Sequence, residues 1–188
     1  MQLQTEITNA LDVLNKGGLI LFPTDTVWGI GCDATNEAAV QKVYDLKKHT
    51  DPKAMLCLVA NTRMLERFVY EVPDPAYDLI EASNKPLTII YDRPINIAPS
   101  LIGSDNTLAF RVVQNELCQK LIAKFKRPLV FTSANTHGQQ APRSFKNIET
   151  EIKNQTDHTI SPEMKLVINI PSTVIKLSNN GEVRIIRK

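Results

Sequence analysis

Apolar residues at Ile7, Leu11 and Leu14 recur at helical spacing, and the Gly17-Gly18 pair ends the helix they predict. Leu19 to Phe22 is a short apolar strand halted by Pro23, and Gly29 to Cys32 reads as extended after an intervening polar turn. Asn36 is placed to cap a second helix, whose apolar face is Ala39, Val40, Val43 and Leu46 and which runs out at Lys47-Lys48-His49. Met55 to Val59 is the next predicted strand. Short helices are expected around Met64 to Val69 and Ala76 to Ala82, and strands over Leu87 to Tyr91 and Leu108 to Val112. Asn115 caps a helix with Leu117, Leu121, Ile122 and Phe125 on one face, and Leu129 to Phe131 is a strand. Phe145, Ile148 and Ile152 mark a last helix. Thr173 to Leu177, a turn at Asn179-Asn180-Gly181 and Val183 to Arg187 read as a hairpin.

Strands alternating with helices give an α/β layer fold, and the closing hairpin makes its sheet mixed and not purely parallel. The 188 residues fit one domain, residues 1–188, and a chain that is 43% hydrophobic has enough apolar surface for a sizeable core. A net charge of +2 does not by itself argue for a nucleic-acid partner. No apolar run approaches the ~20 residues of a spanning helix, so no membrane partner is expected. The start MQLQTEITNA has neither the basic end nor the apolar stretch of a signal peptide. Cys32, Cys57 and Cys118 show no zinc or disulfide spacing; Cys32 and Cys57, in apolar strand-like runs, are expected to be buried free thiols in a cytoplasmic protein.

Ligands of such sheets sit where strand ends meet polar loops, which here are PTDT, KKHTDPK, TSANTHG and PSTV. Glycine-rich phosphate loops are absent, as are HExxH and GxSxG, so an anion site has to be built from side chains and scattered backbone groups. Lys47, His49 and Lys53 at a helix C-terminus either complement the helix dipole or receive an anion, and Lys48 is left to solvent. Ser133 and Asn135 in TSAN are turn formers or polar ligands. Asp25 in PTDT is open between a turn carboxylate and a site residue. Arg111 is a charge inside the apolar strand LAFRVV, so it either points outward or binds a ligand, and its fork suits a carboxylate. His137 and His158 read as surface histidines, and Trp28 as a wall or core residue.

Taken in order, FPTDTVWGIGCDA, LKKHTDPKAMLCLV, LAFRVV, LVFTSANTHGQ, PSTVIKL and GEVRIIRK resemble the YrdC family of threonylcarbamoyl-adenylate synthases, over Leu19 to Lys188. The resemblance implies a twisted mixed sheet with packed helices around a concave basic cavity, in a short form without a further C-terminal domain. It implies that L-threonine, bicarbonate and ATP, with Mg²⁺ on the ATP phosphates, give threonylcarbamoyl-AMP and pyrophosphate. Downstream transfer proteins then carry the group to adenosine 37 of tRNA. The family's Lys-x-Arg and Ser-x-Asn tetrad falls on Lys47, Ser133 and Asn135, with His49 standing where arginine is expected. Histidine, with an ordinary pKa near ~6.5, carries less charge at neutral pH than arginine. Thr26 and Arg111 match residues that hold the amino acid, and Ser172 and Thr173 line the same pocket. Arg187 matches an arginine on the nucleotide side, where Lys53 and Thr107 are weaker candidates. Thr136-His137 replaces a common Pro-Ser. A competing reading is a YrdC-like protein that binds tRNA or double-stranded RNA without synthase activity.

Overall fold

The computed structural model describes residues 2–48, 51, 55–136, 138–142, 144–162 and 171–188. His49, Lys53 and His137 therefore lie outside the described residues. Helix α1 (Gln2–Asn15) buries Ile7, Ala10 and Leu14, and Gly17 at φ +70° takes the left-handed turn that lets the chain leave it. Strands β1 (Ile20–Pro23) and β2 (Trp28–Gly31) follow, then α2 (Glu37–Lys47). Asn36 caps α2 as expected, its side-chain oxygen accepting from the Ala39 N–H at 3.2 Å. The remaining order is β3 (Leu56–Val59), α3 (Thr62–Leu65), α4 (Pro75–Ala82), β4 (Leu87–Asp92), β5 (Thr107–Val112), α5 (Glu116–Phe125), β6 (Leu129–Ser133), α6 (Thr150–Gln155), β7 (His158–Thr159), β8 (Thr173–Leu177) and β9 (Val183–Arg187).

The strands form one mixed sheet in the order β7-β1-β2-β6-β3-β5-β4-β8-β9. Its parallel pairs are β1 with β7, β3 with β5 and β4 with β8; the other neighbours are antiparallel. Helices α1 and α5 pack on each other and on the sheet, so the apolar faces predicted for both meet in the core. Phe22 and Phe131 meet edge to face beneath the PTDT turn, with ring centroids 6.1 Å apart. Cys32 and Cys57 are buried and free, as expected, and Cys118 is as well.

Three features differ from the sequence reading. The helix expected over Phe145, Ile148 and Ile152 is two pieces, a 3-10 turn at Phe145–Asn147 and then α6, because Ile148 and Glu149 are extended. The break lets the Glu149 carboxylate accept from the Thr136 hydroxyl at 2.9 Å. Strand β7 is unforeseen: two residues are too few to show alternation. His158 belongs to it and is not a surface histidine; its Nε2 lies 3.4 Å from Glu6 Oε2. Among the described residues, no helix is long and apolar enough to cross a membrane.

Candidate active site

Two clusters form where the predicted polar loops leave the sheet. The first surrounds Arg111. Strand β5 turns this side chain inward, so it is only 3% exposed. Desolvation of so buried a cation has to be offset by partners, and four groups supply them. Arg111 Nε donates to Thr88 Oγ1 at 3.1 Å, and Nη1 donates to Thr26 Oγ1 at 3.1 Å and to Asp25 Oδ1 at 3.4 Å. Nη2 donates to Ser172 Oγ at 3.1 Å. Burial pushes the Arg111 pKa below its ordinary value, and Asp25 opposes that shift. A guanidinium has five donor hydrogens, so one hydrogen on Nη2 is left uncommitted among the described residues. The Phe131 ring covers the guanidinium, 5.4 Å from its carbon.

These partners come from separate elements. Thr24, Asp25 and Thr26 form the turn after β1, where the Thr24 hydroxyl accepts from the Thr26 N–H at 3.1 Å and ties the turn closed. Thr88 sits in β4, and Ser172 precedes β8, which pairs in parallel with β4. The Gln114 N–H donates to Asp25 Oδ2 at 3.4 Å, anchoring the carboxylate from the other side. Arg187, at the end of β9, reaches the same serine. Its Nε and Nη2 donate to the Ser172 carbonyl at 3.2 and 3.0 Å, and Nη2 also to Ser172 Oγ at 3.2 Å. Thr173 opens β8 opposite Leu87, beside these groups in sequence.

The second cluster surrounds Lys47, on the last turn of α2 and only 5% exposed. Its ammonium donates to the Ser133 carbonyl at 2.7 Å and to the Asn135 carbonyl. The TSAN loop thus holds the lysine through its backbone. The Asn135 amide donates to the Thr136 and Gln139 carbonyls at 3.0 and 2.8 Å and shapes that loop, while its Oδ1 is buried without a partner among the described residues. Burial lowers the Lys47 pKa to about 8, with Glu149 acting the other way. Among the described residues, one ammonium hydrogen remains for a ligand.

The clusters are joined through β2 and β6: Gly29 pairs with Ser133, and Thr26 precedes Gly29 by three residues. Thr107 is set apart. It opens β5 four residues before Arg111, ~13 Å along the strand, and its hydroxyl donates to Asp105 Oδ1 at 2.8 Å. Sequence reasoning missed Thr88, an ordinary strand former with nothing local to mark it, and left Asp25 open. Of the two readings of Trp28, the core one holds: it is 4% exposed and packs against Phe145 with ring centroids 5.2 Å apart. A separate cavity of about 340 Å³ is lined by Leu19, Lys42, Asp45, Leu46, Gln155 and Asp157. Its two carboxylates and a lysine already bonded to the Gly17 carbonyl suit it poorly to polyanions.

The family model Sua5_yciO_yrdC, described as "Telomere recombination", matches residues 12–188. The chain belongs to this family. Over 140 residues it is 32% identical to the threonylcarbamoyl-AMP synthase of Saccharophagus degradans, covering 74% of this chain and 73% of the relative. The synthase of Pseudoalteromonas translucida is 29% identical over 183 residues, 96% of this chain and 97% of the relative. The crystal structure of Pyrococcus abyssi Sua5 complexed with L-threonine superposes with a TM-score of 0.82 at 28% identity. That match covers 91% of this chain but 50% of the Sua5 chain, so this chain spans about half the archaeal protein's length. The mixed α/β architecture expected from the sequence is thus the fold of the Sua5 and YrdC proteins.

Proposed function

We propose that this chain is a nucleotidyltransferase that makes threonylcarbamoyl-AMP and pyrophosphate from L-threonine, bicarbonate and ATP, for modification of tRNA at adenosine 37. The observation that carries this reading is the buried Arg111, fixed by Thr26, Thr88, Asp25 and Ser172 with one donor left over. A charge buried at that desolvation cost and left with a spare donor suits a carboxylate ligand. The relatives named as synthases and the neighbour complexed with L-threonine support the same assignment.

In this reading Arg111 takes the threonine carboxylate, with Thr26 and Ser172 lining the pocket. Lys47 turns its remaining N–H toward a phosphate oxygen, and the Ser133-Asn135 loop sets its position. The amine adds to bicarbonate, the carbamate oxygen attacks the α-phosphorus, and pyrophosphate leaves. All three substrates are anionic, so catalysis rests on positioning and fixed positive charge. Mg²⁺ travels with the ATP phosphates; the unpartnered Asn135 Oδ1 is an acceptor suited to a water on that ion. The product passes to the downstream transfer proteins.

Pyrophosphate release with ATP, Mg²⁺, L-threonine and bicarbonate, with each of the last two omitted in turn, tests the proposal. Release that needs both is expected. No release between pH ~6 and ~8, where a histidine changes charge, overturns it and turns attention to RNA binding without chemistry.

A further inference from the structure

Two guanidinium groups share one hydroxyl. Arg111 Nη2 and Arg187 Nη2 both donate to Ser172 Oγ, at 3.1 and 3.2 Å. The Thr88 hydroxyl, which accepts from Arg111 Nε, donates to the same Ser172 Oγ at 3.0 Å. The hydroxyl therefore separates the two cations by about two hydrogen-bond lengths, ~6 Å at most between their terminal nitrogens. Asp25 pairs with Arg111 at 3.4 Å. No carboxylate pairs with Arg187 among the described residues; its bonds there go to Ser172 alone, which leaves both Nη1 hydrogens uncommitted. The cluster thus holds two positive charges against one negative.

Zwitterionic threonine matches this arrangement badly. Its carboxylate satisfies Arg111, but its ammonium then sits close to a second cation and is repelled. Carboxylation of the amine removes the conflict. The ammonium first gives one proton to bulk solvent; the neutral amine nitrogen then attacks the bicarbonate carbon, a C–N bond forms, and a C–O bond breaks. The departing hydroxide takes the amine's proton and leaves as water. The resulting N-carboxythreonine carries two carboxylates separated by the Cα and the nitrogen, a spacing that matches two guanidinium groups bridged by one oxygen.

We propose that Arg187 holds the carbamate formed from bicarbonate while Arg111 holds the α-carboxylate. This rests on the synthase reading above. Arg187 thereby discriminates carboxylated from free threonine and touches the oxygen that attacks the α-phosphorus, which makes it a catalytic residue shared by the amino-acid and nucleotide halves of the site.

The test is calorimetric titration of L-threonine, without ATP, in the presence and absence of sodium bicarbonate. Charge-assisted hydrogen bonds of ordinary strength correspond to a tightening of about tenfold by bicarbonate in the wild type. Arg187→Gln is expected to lose that tightening and, with the repelling cation gone, to bind threonine alone more tightly than the wild type does, and Arg187→Lys to keep part of the tightening. Arg111→Gln is expected to lose threonine binding in both conditions. Arg187 lies on an exposed edge strand, and an unchanged melting curve checks that Arg187→Gln is folded. Full bicarbonate enhancement in Arg187→Gln overturns the assignment, as does an equal loss of threonine binding with and without bicarbonate. Failure of the synthase reading shows separately, as absence of threonine-dependent pyrophosphate release in the wild type.

Discussion

Asp25 Oδ1 lies 3.4 Å from Arg111 Nη1, and each side chain is 3% exposed. The pair joins the turn after β1 to the middle of the sheet and supplies the countercharge that lets Arg111 stay buried. Removing one member of a buried pair leaves the other uncompensated. Asp25→Ala is therefore expected to lower unfolding free energy by about 3 kcal/mol, measured by urea denaturation. It should also raise the KM for threonine, because Arg111 is no longer held at Nη1. A variant with wild-type stability would show that Asp25 does not neutralise Arg111.

Lys47 donates to two backbone carbonyls and, among the described residues, keeps one hydrogen free. Lys47→Ala is expected to lower the rate of pyrophosphate release about 100-fold or more, the scale found when one preorganised donor is removed from a reacting centre. A circular-dichroism spectrum matching the wild type separates that loss from misfolding. Retention of more than a tenth of the rate would remove Lys47 from the reacting centre.

The lowered Lys47 pKa, about 8, sets a pH dependence. Below that value the lysine is protonated with or without nucleotide, so its contribution to ATP affinity is constant. A bound triphosphate raises its pKa, so above pH ~8 binding takes up a proton and affinity falls as pH rises. Proton uptake measured by calorimetry at pH ~8.5 in two buffers should be present in the wild type and missing in Lys47→Met. Stability of the free protein moves the opposite way. The unfolded lysine keeps its proton up to ~10.4, so Lys47 contributes a gain in stability as pH rises from about 8 toward that value.

A Cβ at Gly29 would overlap the Phe131 ring, which lies over this glycine. Gly29→Ala must push that ring aside, and overpacking of this kind costs ~1–3 kcal/mol. The same ring covers Arg111, so thermal stability and threonine affinity should fall together. Loss of stability with unchanged affinity would show that Phe131 does not help to place the guanidinium.

Local pattern revealed most of the frame. Asn36 and Asn115 sit one residue before the helices they cap, and each accepts from an N–H three residues on. Arg111 was conspicuous because a charge interrupts an apolar strand, yet whether it faced in or out depended on Asp25, 86 residues away. Thr88 carries no such signal: threonine is common in strands, and its role exists only once β4 lies between β5 and β8. The place of Arg187 depends on the β8–β9 register, whose irregularity at Val174/Ile175 brings Arg187 opposite Val174. The hairpin was legible in its turn residues; the irregularity was not. The resemblance put Arg187 on the nucleotide side and Ser172 in the amino-acid pocket, and the structure ties the two together.

Strand β7 has a consequence for how the chain folds. It pairs with β1 through Ile20 and His158, and Asp157 Oδ2 accepts from the Leu19 N–H at 2.7 Å across 138 residues. Until the ribosome has released that distant segment, the outer edge of β1 has no native neighbour, and its apolar ILF run is open to pairing with other nascent chains. Closing so long a loop is entropically unfavourable and slow relative to the local hairpins. Docking of the two residues of β7 is thus a late event in biogenesis, and the outer edge of β1 is where a stalled or truncated chain would aggregate.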